Sequence, residues 1–307
     1  MKTTNEILAG LGLRPDETAI PASPKRFPDG AQYRIEIPSI ENPECLAAAI
    51  EEARHLEVTV HRVSQGSGIM LLTDRELAEM ARLAREARIE LSLFTGPRAG
   101  YDATPQPLTP AGKVIGGGLR GGSQLAYAVE DVRRACAAGV RSVLVADLGL
   151  LWVIREMKKS GELPADLVVK VSILLSVPNP ATARVVEDLG AGTINVSPDL
   201  GLAQLSGLRA AVSAPLDLYV EVPDNFGGYI RTYEVPEMIR VASPVYVKLG
   251  LRNAPDIYPA GQHLQATALA MSRERVRRAR IVMEHLRRYA PGAVMSQPGA
   301  AGLAIPV

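Results

Sequence analysis

Short apolar runs rich in β-branched residues alternate with longer amphipathic stretches from Tyr33 onward. The runs predict eight strands, at 33–38, 58–64, 89–95, 142–147, 167–174, 193–197, 216–222 and 245–251. Helical periodicity occupies the intervals, at 42–56, 73–88, 123–138, 150–160, 180–189 and 200–213. Such alternation produces right-handed crossovers and a parallel sheet, and eight strand–helix units close a (β/α)8 barrel of the TIM type.

The alternative architecture is an open, doubly wound sheet. That fold needs a glycine-rich turn after its first strand, and the segment that follows here, Pro38-Ser39-Ile40-Glu41, is not one. We therefore predict a single barrel domain over residues 31–290. Residues 1–30, which contain four prolines, are predicted to form an N-terminal arm, and residues 291–307 an irregular C-terminal tail.

Several helix boundaries carry their own signals. Thr73 followed by Glu76 has the spacing of a capping box. Asn42-Pro43 places proline at the first position of a helix. Glycines at 139 and 190 fall where a helix must end before the next strand begins.

The inward-facing positions of the predicted strands are densely polar. Alternate residues of a barrel strand face the helices or the lumen, and the helix-facing set is apolar here. The lumen-facing set is then Arg34, Glu36, Thr59, His61, Glu90, Ser92, Lys170, Ser172, Asn195, Ser197, Asp217, Tyr219, Glu221, Tyr246, Lys248 and Arg252. Buried charges cost several kcal/mol each unless they are paired. Near the strand starts we predict a buried lattice of ion pairs, for example among Arg34, Glu90, Lys170 and Asp217.

Barrel active sites lie at the carboxyl ends of the strands. The residues predicted there are Glu36, His61, Ser197, Glu221 and Arg252, with Lys248 one layer deeper. Two carboxylates and a histidine suit general acid–base catalysis, and Glu36, His61 and Glu221 could equally bind a divalent metal. Lys248 can form a Schiff base if its pKa is lowered, or it can simply neutralise a neighbouring glutamate.

The loops above these strand ends supply candidate substrate-binding residues. Arg98 follows the third strand, and the long loop there ends in a glycine-rich segment that contains Arg120 and Gly121. Glycine-rich backbone and a guanidinium before a helix can bind an anion. The other candidates are Asp224 and Asn225 after the seventh strand, and Arg252 and Asn253 after the eighth.

Composition excludes several classes of protein. With 47% hydrophobic and 22% charged residues the chain can bury a core, and the net charge of +1 favours neither nucleic acid nor an anionic membrane as a partner. Two cysteines, Cys45 and Cys136, exclude a disulfide scaffold and a four-cysteine metal site.

The arginine-rich stretch 272–289 is interrupted by glutamates and is interpreted as a solvated helix face. No secretory signal is visible, so we expect a cytoplasmic protein.

The middle of the chain resembles the peptidase U32 family. The stretch 137–149 (AAGVRSVLVADLG) resembles that family's helix-to-strand segment with its Asp-Leu-Gly turn, and 178–190, 193–200 and 216–221 follow the same order. The resemblance covers about residues 70–222 and implies a barrel protein with peptidase activity, or with the nucleic-acid or cofactor modification of some relatives. That family continues with a glycine and cysteines, whereas no cysteine follows Cys136 here, so only Glu221 and nearby glycines carry over.

These observations together predict a barrel hydrolase that acts on a small anionic or peptide-like substrate. Glu36 and Glu221 would be the acid and base, His61 a proton carrier or ligand, and Arg252 with the loop 116–122 an anion clamp. The alternatives are a lyase or aldolase that uses Lys248, and a barrel that binds a ligand without turning it over. The sequence commits to no cofactor, and it leaves open whether the chain forms a homo-oligomer.

Overall fold

The chain folds as a closed barrel of eight parallel strands in which each strand pairs with the next and the eighth pairs with the first. The computed structural model describes residues 19–100, 106, 109 and 116–307. The strands are β1 (Tyr33–Pro38), β2 (Arg62–Ser64), β3 (Glu90–Phe94), β4 (Ser142–Val145), β5 (Val168–Val171), β6 (Thr193–Asn195), β7 (Leu216–Glu221) and β8 (Val245–Leu249). This confirms the predicted (β/α)8 architecture.

Eight α-helices surround the barrel in the described part of the chain. They are α1 (Pro43–His55), α2 (Asp74–Glu86), α3 (Gly121–Ala137), α4 (Leu148–Ser160), α5 (Pro180–Asp188), α6 (Leu202–Ala211), α7 (Val235–Ala242) and α8 (Gln265–Tyr289). Their apolar faces pack on the outward side chains of the strands in one continuous hydrophobic core. No helix among the described residues is both long enough and apolar enough to cross a bilayer.

The predicted helix signals are confirmed. Asn42 caps α1 by accepting a hydrogen bond from the Cys45 backbone N–H, with Pro43 as the first helical residue. Thr73 and Glu76 form both hydrogen bonds of a capping box at the start of α2. Gly139 follows α3 with φ +90°, a conformation that favours glycine over residues with a Cβ atom.

Removing the capping hydroxyl should weaken the start of α2. In Thr73→Ala the N–H of Glu76 loses its acceptor, so we expect about 1 kcal/mol less free energy of unfolding, measured by urea denaturation. Thr73→Ser keeps the hydroxyl and should stay close to wild type. Equal losses in the two variants would contradict a capping role.

The lumen-facing residues of β2 lie one position later in the sequence than predicted. Arg62 and Ser64 point inward, where both contact Glu36, and Val63 joins the outer core. Residues 58–61 lie before the strand begins, so the alternation does not run through them. His61 consequently lies below the lumen, where its Nδ1 accepts from the Ile35 backbone N–H.

The phase of β7 also breaks before its end. Tyr219 pairs with Lys248 but Glu221 pairs with Leu249, which places a bulge between Tyr219 and Glu221. The bulge turns Glu221 away from the lumen and toward α8, where Arg278 lies 3.3 Å from its carboxylate. The predicted lumen-facing position of Glu221 is therefore wrong.

The amino-terminal end of the barrel is covered by the two end segments. Of the predicted arm, residues 1–18 lie outside the described residues, and Phe27 packs its ring under the Arg34 guanidinium. Residues 294–304 run across the same end: Ser296 accepts hydrogen bonds from Arg34 and His61, and the backbone N–H of Ala304 donates to Glu90. The end segments thus supply partners to polar groups that the strands bury.

Candidate functional site

A lattice of buried charges fills the middle of the barrel. Arg62 donates to Glu36 at 2.5 and 2.8 Å and also to Asp217, and it lies 3.6 Å from Glu90. Lys170 bridges the same Glu36 and Asp217 from β5. The predicted lattice therefore exists, although Arg62 holds the central position and Arg34 lies below, bonded to the tail.

The lattice keeps Glu36 ionised. Burial alone would raise the pKa of its carboxyl group, but the charges of Arg62, Lys170 and Lys248 outweigh burial and hold the pKa well below its ordinary value. The Ser64 hydroxyl donates to the other carboxylate oxygen at 2.7 Å. A carboxylate held in this way accepts hydrogen bonds but is a poor proton carrier near neutral pH.

A cavity of about 350 Å³ opens above the lattice at the carboxyl ends of the strands. Its polar floor includes Ser64, Ser172, Asn195, Tyr219 and Lys248. Its walls are largely apolar and come from Pro38, Phe94, Leu144, Ile173, Leu174, Phe226 and Pro259. An apolar cavity with a few convergent polar groups is the usual form of a small-molecule site.

Lys248 connects the lattice to the cavity. Its ammonium nitrogen lies 3.5 Å from Glu36 and 4.4 Å from the centre of the Tyr219 ring. Burial lowers the pKa of Lys248 below its ordinary value, and Glu36 and Asp217 counteract part of that decrease. Burial and Arg62 lower the pKa of Lys170 to about 8, but Lys170 does not line the cavity. Among the described lysines, Lys248 is therefore the one whose amine a molecule bound in this cavity can reach.

Asn195 is a floor residue that the sequence placed in the lumen without assigning it to the site. Its side chain is 1% exposed, and neither its amide nitrogen nor its amide oxygen has a hydrogen-bond partner among the described residues. Ser64 was missed because β2 was predicted out of phase. Tyr219 and Ser172 were correctly predicted to face the lumen, and their positions near strand ends could have identified them as site residues.

Three of the predicted site residues line the main cavity, namely Lys248, Arg98 and Asn225. Arg98 stacks on Phe94 at 4.1 Å and donates to the backbone carbonyls of Gly66 and Ser67. Glu36 lies directly beneath the floor, bonded to Ser64. Ser197 is half-buried at the end of β6 and is not part of the lining.

His61 and Glu221 do not meet Glu36 in the cavity. His61 lies at the opposite end of the barrel, bonded to the Ser296 backbone carbonyl at 2.8 Å. Burial lowers the pKa of His61 to about 4, so the ring is neutral at pH 7. The structure therefore separates the three groups predicted for acid–base catalysis. Within the described ranges, no three His, Cys, Asp or Glu side chains are grouped as metal ligands, so the alternative metal site at these residues is not formed either.

The predicted residues of the last two loops hold those loops to each other. Glu221 accepts from the Arg252 backbone N–H at 2.9 Å, and Asp224 accepts from the Asn253 backbone N–H. The exposed Arg252 guanidinium lies 3.5 Å from Asp224. Because a carboxylate already neutralises this guanidinium, the residue connects loops rather than facing the main cavity.

The glycine-rich loop reaches the cavity only through its beginning. Gly116 lines the cavity, whereas Arg120 and Gly121 are exposed at the start of α3. The Arg120 backbone N–H donates to Gln124 at 2.6 Å. Residues 101–105, 107–108 and 110–115 of the long loop lie outside the described residues.

Comparison with known proteins yields similarity at the level of the fold. No family model matches the chain, and no curated protein does. Solved structures that resemble it include a U32 peptidase, with 18% identity and a TM-score of 0.43 over 75% of this chain and 98% of that one. A thiamine phosphate pyrophosphorylase from Pyrococcus furiosus has 14% identity and a TM-score of 0.46, over 83% of this chain and 98% of that one. FabK from Thermotoga maritima has 14% identity and a TM-score of 0.41, over 70% and 58%. The predicted U32 resemblance is thus a distant likeness of fold, and membership of that family is not shown.

Proposed function

We propose that this chain is an enzyme of the lyase or aldolase class that forms an imine between Lys248 and a small carbonyl compound. The observation that carries the proposal is the position of the Lys248 amine, buried at the floor of an open, partly apolar cavity. Such surroundings favour the neutral amine, which is the nucleophilic form of lysine.

The lattice supports this role because Lys248 is the most weakly paired of the cations around Glu36. Arg62 approaches the carboxylate at 2.5 Å and Lys170 forms a still shorter contact, whereas Lys248 lies at 3.5 Å. Arg62 and Lys170 remain to neutralise Glu36 if Lys248 loses its proton. After deprotonation of Lys248 each of the three buried carboxylates still contacts Arg62, although two cations then remain for three carboxylates.

Imine formation at Lys248 requires no cofactor. The neutral amine attacks the carbonyl carbon, a C–N bond forms, and the carbonyl oxygen leaves as water together with the two amine protons. The resulting C=N bond, once protonated, draws electrons from an adjacent C–C or C–H bond. Aldol cleavage and proton exchange next to the carbonyl are the reactions that follow from such an intermediate.

Peptide hydrolysis by the predicted acid–base set has less support. Glu36 is ionised and fully paired, His61 is at the far end of the barrel, and Glu221 forms an ion pair with Arg278 of α8 and accepts from a backbone N–H. None of the three faces a substrate in the main cavity. The imine-forming reaction needs only Lys248.

Borohydride trapping tests the proposal directly. With 2-oxo acids and small aldehydes at pH 8, we expect reduction to fix one adduct per chain, which peptide mapping should locate at Lys248 among the seven lysines of the sequence. Lys248→Arg keeps a positive charge beside Glu36 and should abolish the adduct. Lys170→Arg is the matched control in the same lattice and should still form it.

Two outcomes would overturn the proposal. An adduct that maps to Lys170 or to an exposed lysine would remove Lys248 from the reaction. Saturable binding of a carbonyl compound with no adduct at Lys248 would favour the alternative in which the barrel binds a ligand without chemistry.

A further inference from the structure

Arg275 is a buried cation that the lattice does not include. It extends from α8 toward the carboxyl end of the barrel and is 4% exposed. Its one hydrogen bond in the described structure is a long one, 3.4 Å from Nη1 to the Ser39 backbone carbonyl, and Nε has no partner. A guanidinium has five N–H donors, so most of the donors of Arg275 have no protein partner among the described residues.

The charged and titratable groups around Arg275 do not neutralise it by contact. Tyr258, Glu41, Tyr219 and Cys45 are the groups whose charge affects it, and among the described residues none of them forms an ion pair with it. The Glu41 carboxylate accepts instead from the backbone N–H groups of Gly66 and Ser67, each at 2.9 Å. Burial accordingly lowers the pKa of Arg275 below its ordinary value. An oppositely charged ligand bound beside such a buried, unpaired charge lowers its free energy strongly.

A second cavity, of about 110 Å³, lies against this side chain. It is formed by the loops after β7 and β8 together with Met271 and Arg275, and it shares Ser39, Asn225, Asp256 and Tyr258 with the main cavity. By volume it has room for about three or four waters, at roughly 30 Å³ each, which is the scale of one phosphate or carboxylate group. Asp224 and Asp256 also line it, but their carboxylates already accept from the backbone N–H groups of Asn253 and Tyr258, and Asp224 lies 3.5 Å from the Arg252 guanidinium.

We propose that Arg275 binds a terminal oxyanion, a phosphate or carboxylate, of the substrate whose carbonyl group reaches Lys248. The inference rests on the proposed function for the carbonyl end alone, because the oxyanion site itself depends only on Arg275 and the second cavity. A guanidinium binds both oxyanions through paired N–H donors. The loops after the last two strands are also where barrels commonly bind phosphate. Arg275 thus takes the place that the sequence assigned to Arg252.

Binding of inorganic phosphate and of acetate tests the site without any chemistry at Lys248. Calorimetry should detect phosphate binding by the wild-type chain, and phosphate should raise its melting temperature. Arg275→Met should bind phosphate at least tenfold more weakly. Without anion, its melting temperature should equal or exceed that of the wild type, because an unpaired buried charge has been replaced by an apolar side chain. Stronger binding of acetate than phosphate would identify the oxyanion as a carboxylate.

Two further variants serve as controls for Arg275→Met. Arg273→Met removes an exposed guanidinium from the same helix and should leave phosphate binding unchanged. Arg252→Met tests the neighbouring loop. Undiminished phosphate binding by Arg275→Met, or a loss confined to Arg252→Met, would overturn the inference.

A matched pair of aldehydes separates this inference from the proposed function. Glycolaldehyde phosphate should be trapped on wild-type Lys248 at least tenfold faster than glycolaldehyde at equal concentration, and Arg275→Met should remove that advantage. If neither aldehyde is trapped but phosphate binding depends on Arg275, the oxyanion site stands and the imine chemistry fails. If both are trapped at equal rates and Arg275→Met has no effect, the imine chemistry stands and the oxyanion site fails.

Discussion

Arg62→Met should lose about 3–5 kcal/mol of the free energy of unfolding at pH 7, because it removes one partner from a fully buried ion network. Glu36 and Asp217 would each lose a direct donor, and Glu90 would lose the cation 3.6 Å away. Lys170 and Lys248 can neutralise two of these three carboxylates. The third would remain charged in the core or take up a proton. Urea denaturation followed by circular dichroism measures the loss.

Arg82→Met is the control for that experiment. Arg82 forms ion pairs with two carboxylates, Glu79 and Glu86, on the exposed face of α2, whereas the three carboxylates around Arg62 are buried. Exposed pairs contribute little to stability, and this variant should remain close to wild type. A loss for Arg62→Met as small as that for Arg82→Met would show that the lattice does not stabilise the barrel.

The second large effect should appear on acidification, at His61. The neutral ring accepts from the Ile35 N–H at 3.0 Å through Nδ1 and donates to the Ser296 carbonyl through Nε2. Protonation of Nδ1 would set two N–H groups against each other. The pKa of His61 is about 4 in the folded chain and 6.5 for the free side chain, so the unfolded chain binds the extra proton between these values. Stability contributed by this residue is complete above pH 6.5 and should fall by about 3 kcal/mol as the pH decreases to 4.

The measurement must separate His61 from a group that acts in the opposite direction. Burial raises the pKa of Asp131 to about 6, so the folded chain binds the extra proton there and this residue adds stability as the pH falls from 6 toward 3.8. We therefore expect the decrease to be steepest in an Asp131→Asn background. Adding His61→Gln to that background should remove most of the decrease between pH 6.5 and 5, above the range in which Glu36, whose folded pKa lies below its ordinary value, begins to contribute. An unchanged slope would show that His61 is not the group that titrates.

The fold could be predicted from the sequence because it depends on a pattern repeated eight times. An error of one residue in a single strand does not alter the number of strand–helix units. The prediction of a barrel is therefore correct even though the lumen-facing residues of β2 were wrongly assigned. The site is less tolerant, because each of its residues depends on the phase of one particular strand. The alternation of inward and outward side chains is unbroken up to Lys248 in β8 and Asn195 in β6, and both residues line the cavity.

His61 and Glu221 were misplaced for the same physical reason. A strand that begins late, as β2 does after residue 61, and a strand with a bulge, as β7 has before Glu221, both reverse the side on which the next side chain emerges. The β7 bulge has no signature in the local hydrophobic pattern, whereas the break in β2 has one, because the spacing of its apolar residues changes from two (Val58 to Val60) to three (Val60 to Val63). Arg275 was missed for a different reason: the whole stretch 272–289 was interpreted as a solvated helix face. The helical spacing places Arg275 on the same face as the apolar residues Ala268 and Ala279, and this face packs on the barrel.

The contacts of residues 294–304 also determine when this chain can finish folding as it is synthesised. Arg34, His61 and Glu90 are made early, yet each receives a hydrogen bond partner that lies more than 200 residues later in the sequence. In a nascent chain that has released only the first strands from the ribosome these polar groups remain hydrogen-bonded to water, because the partners that allow their burial have not yet been made. Contacts this distant in sequence slow folding. We expect the early strands to stay accessible to chaperones and proteases until the last segment has emerged.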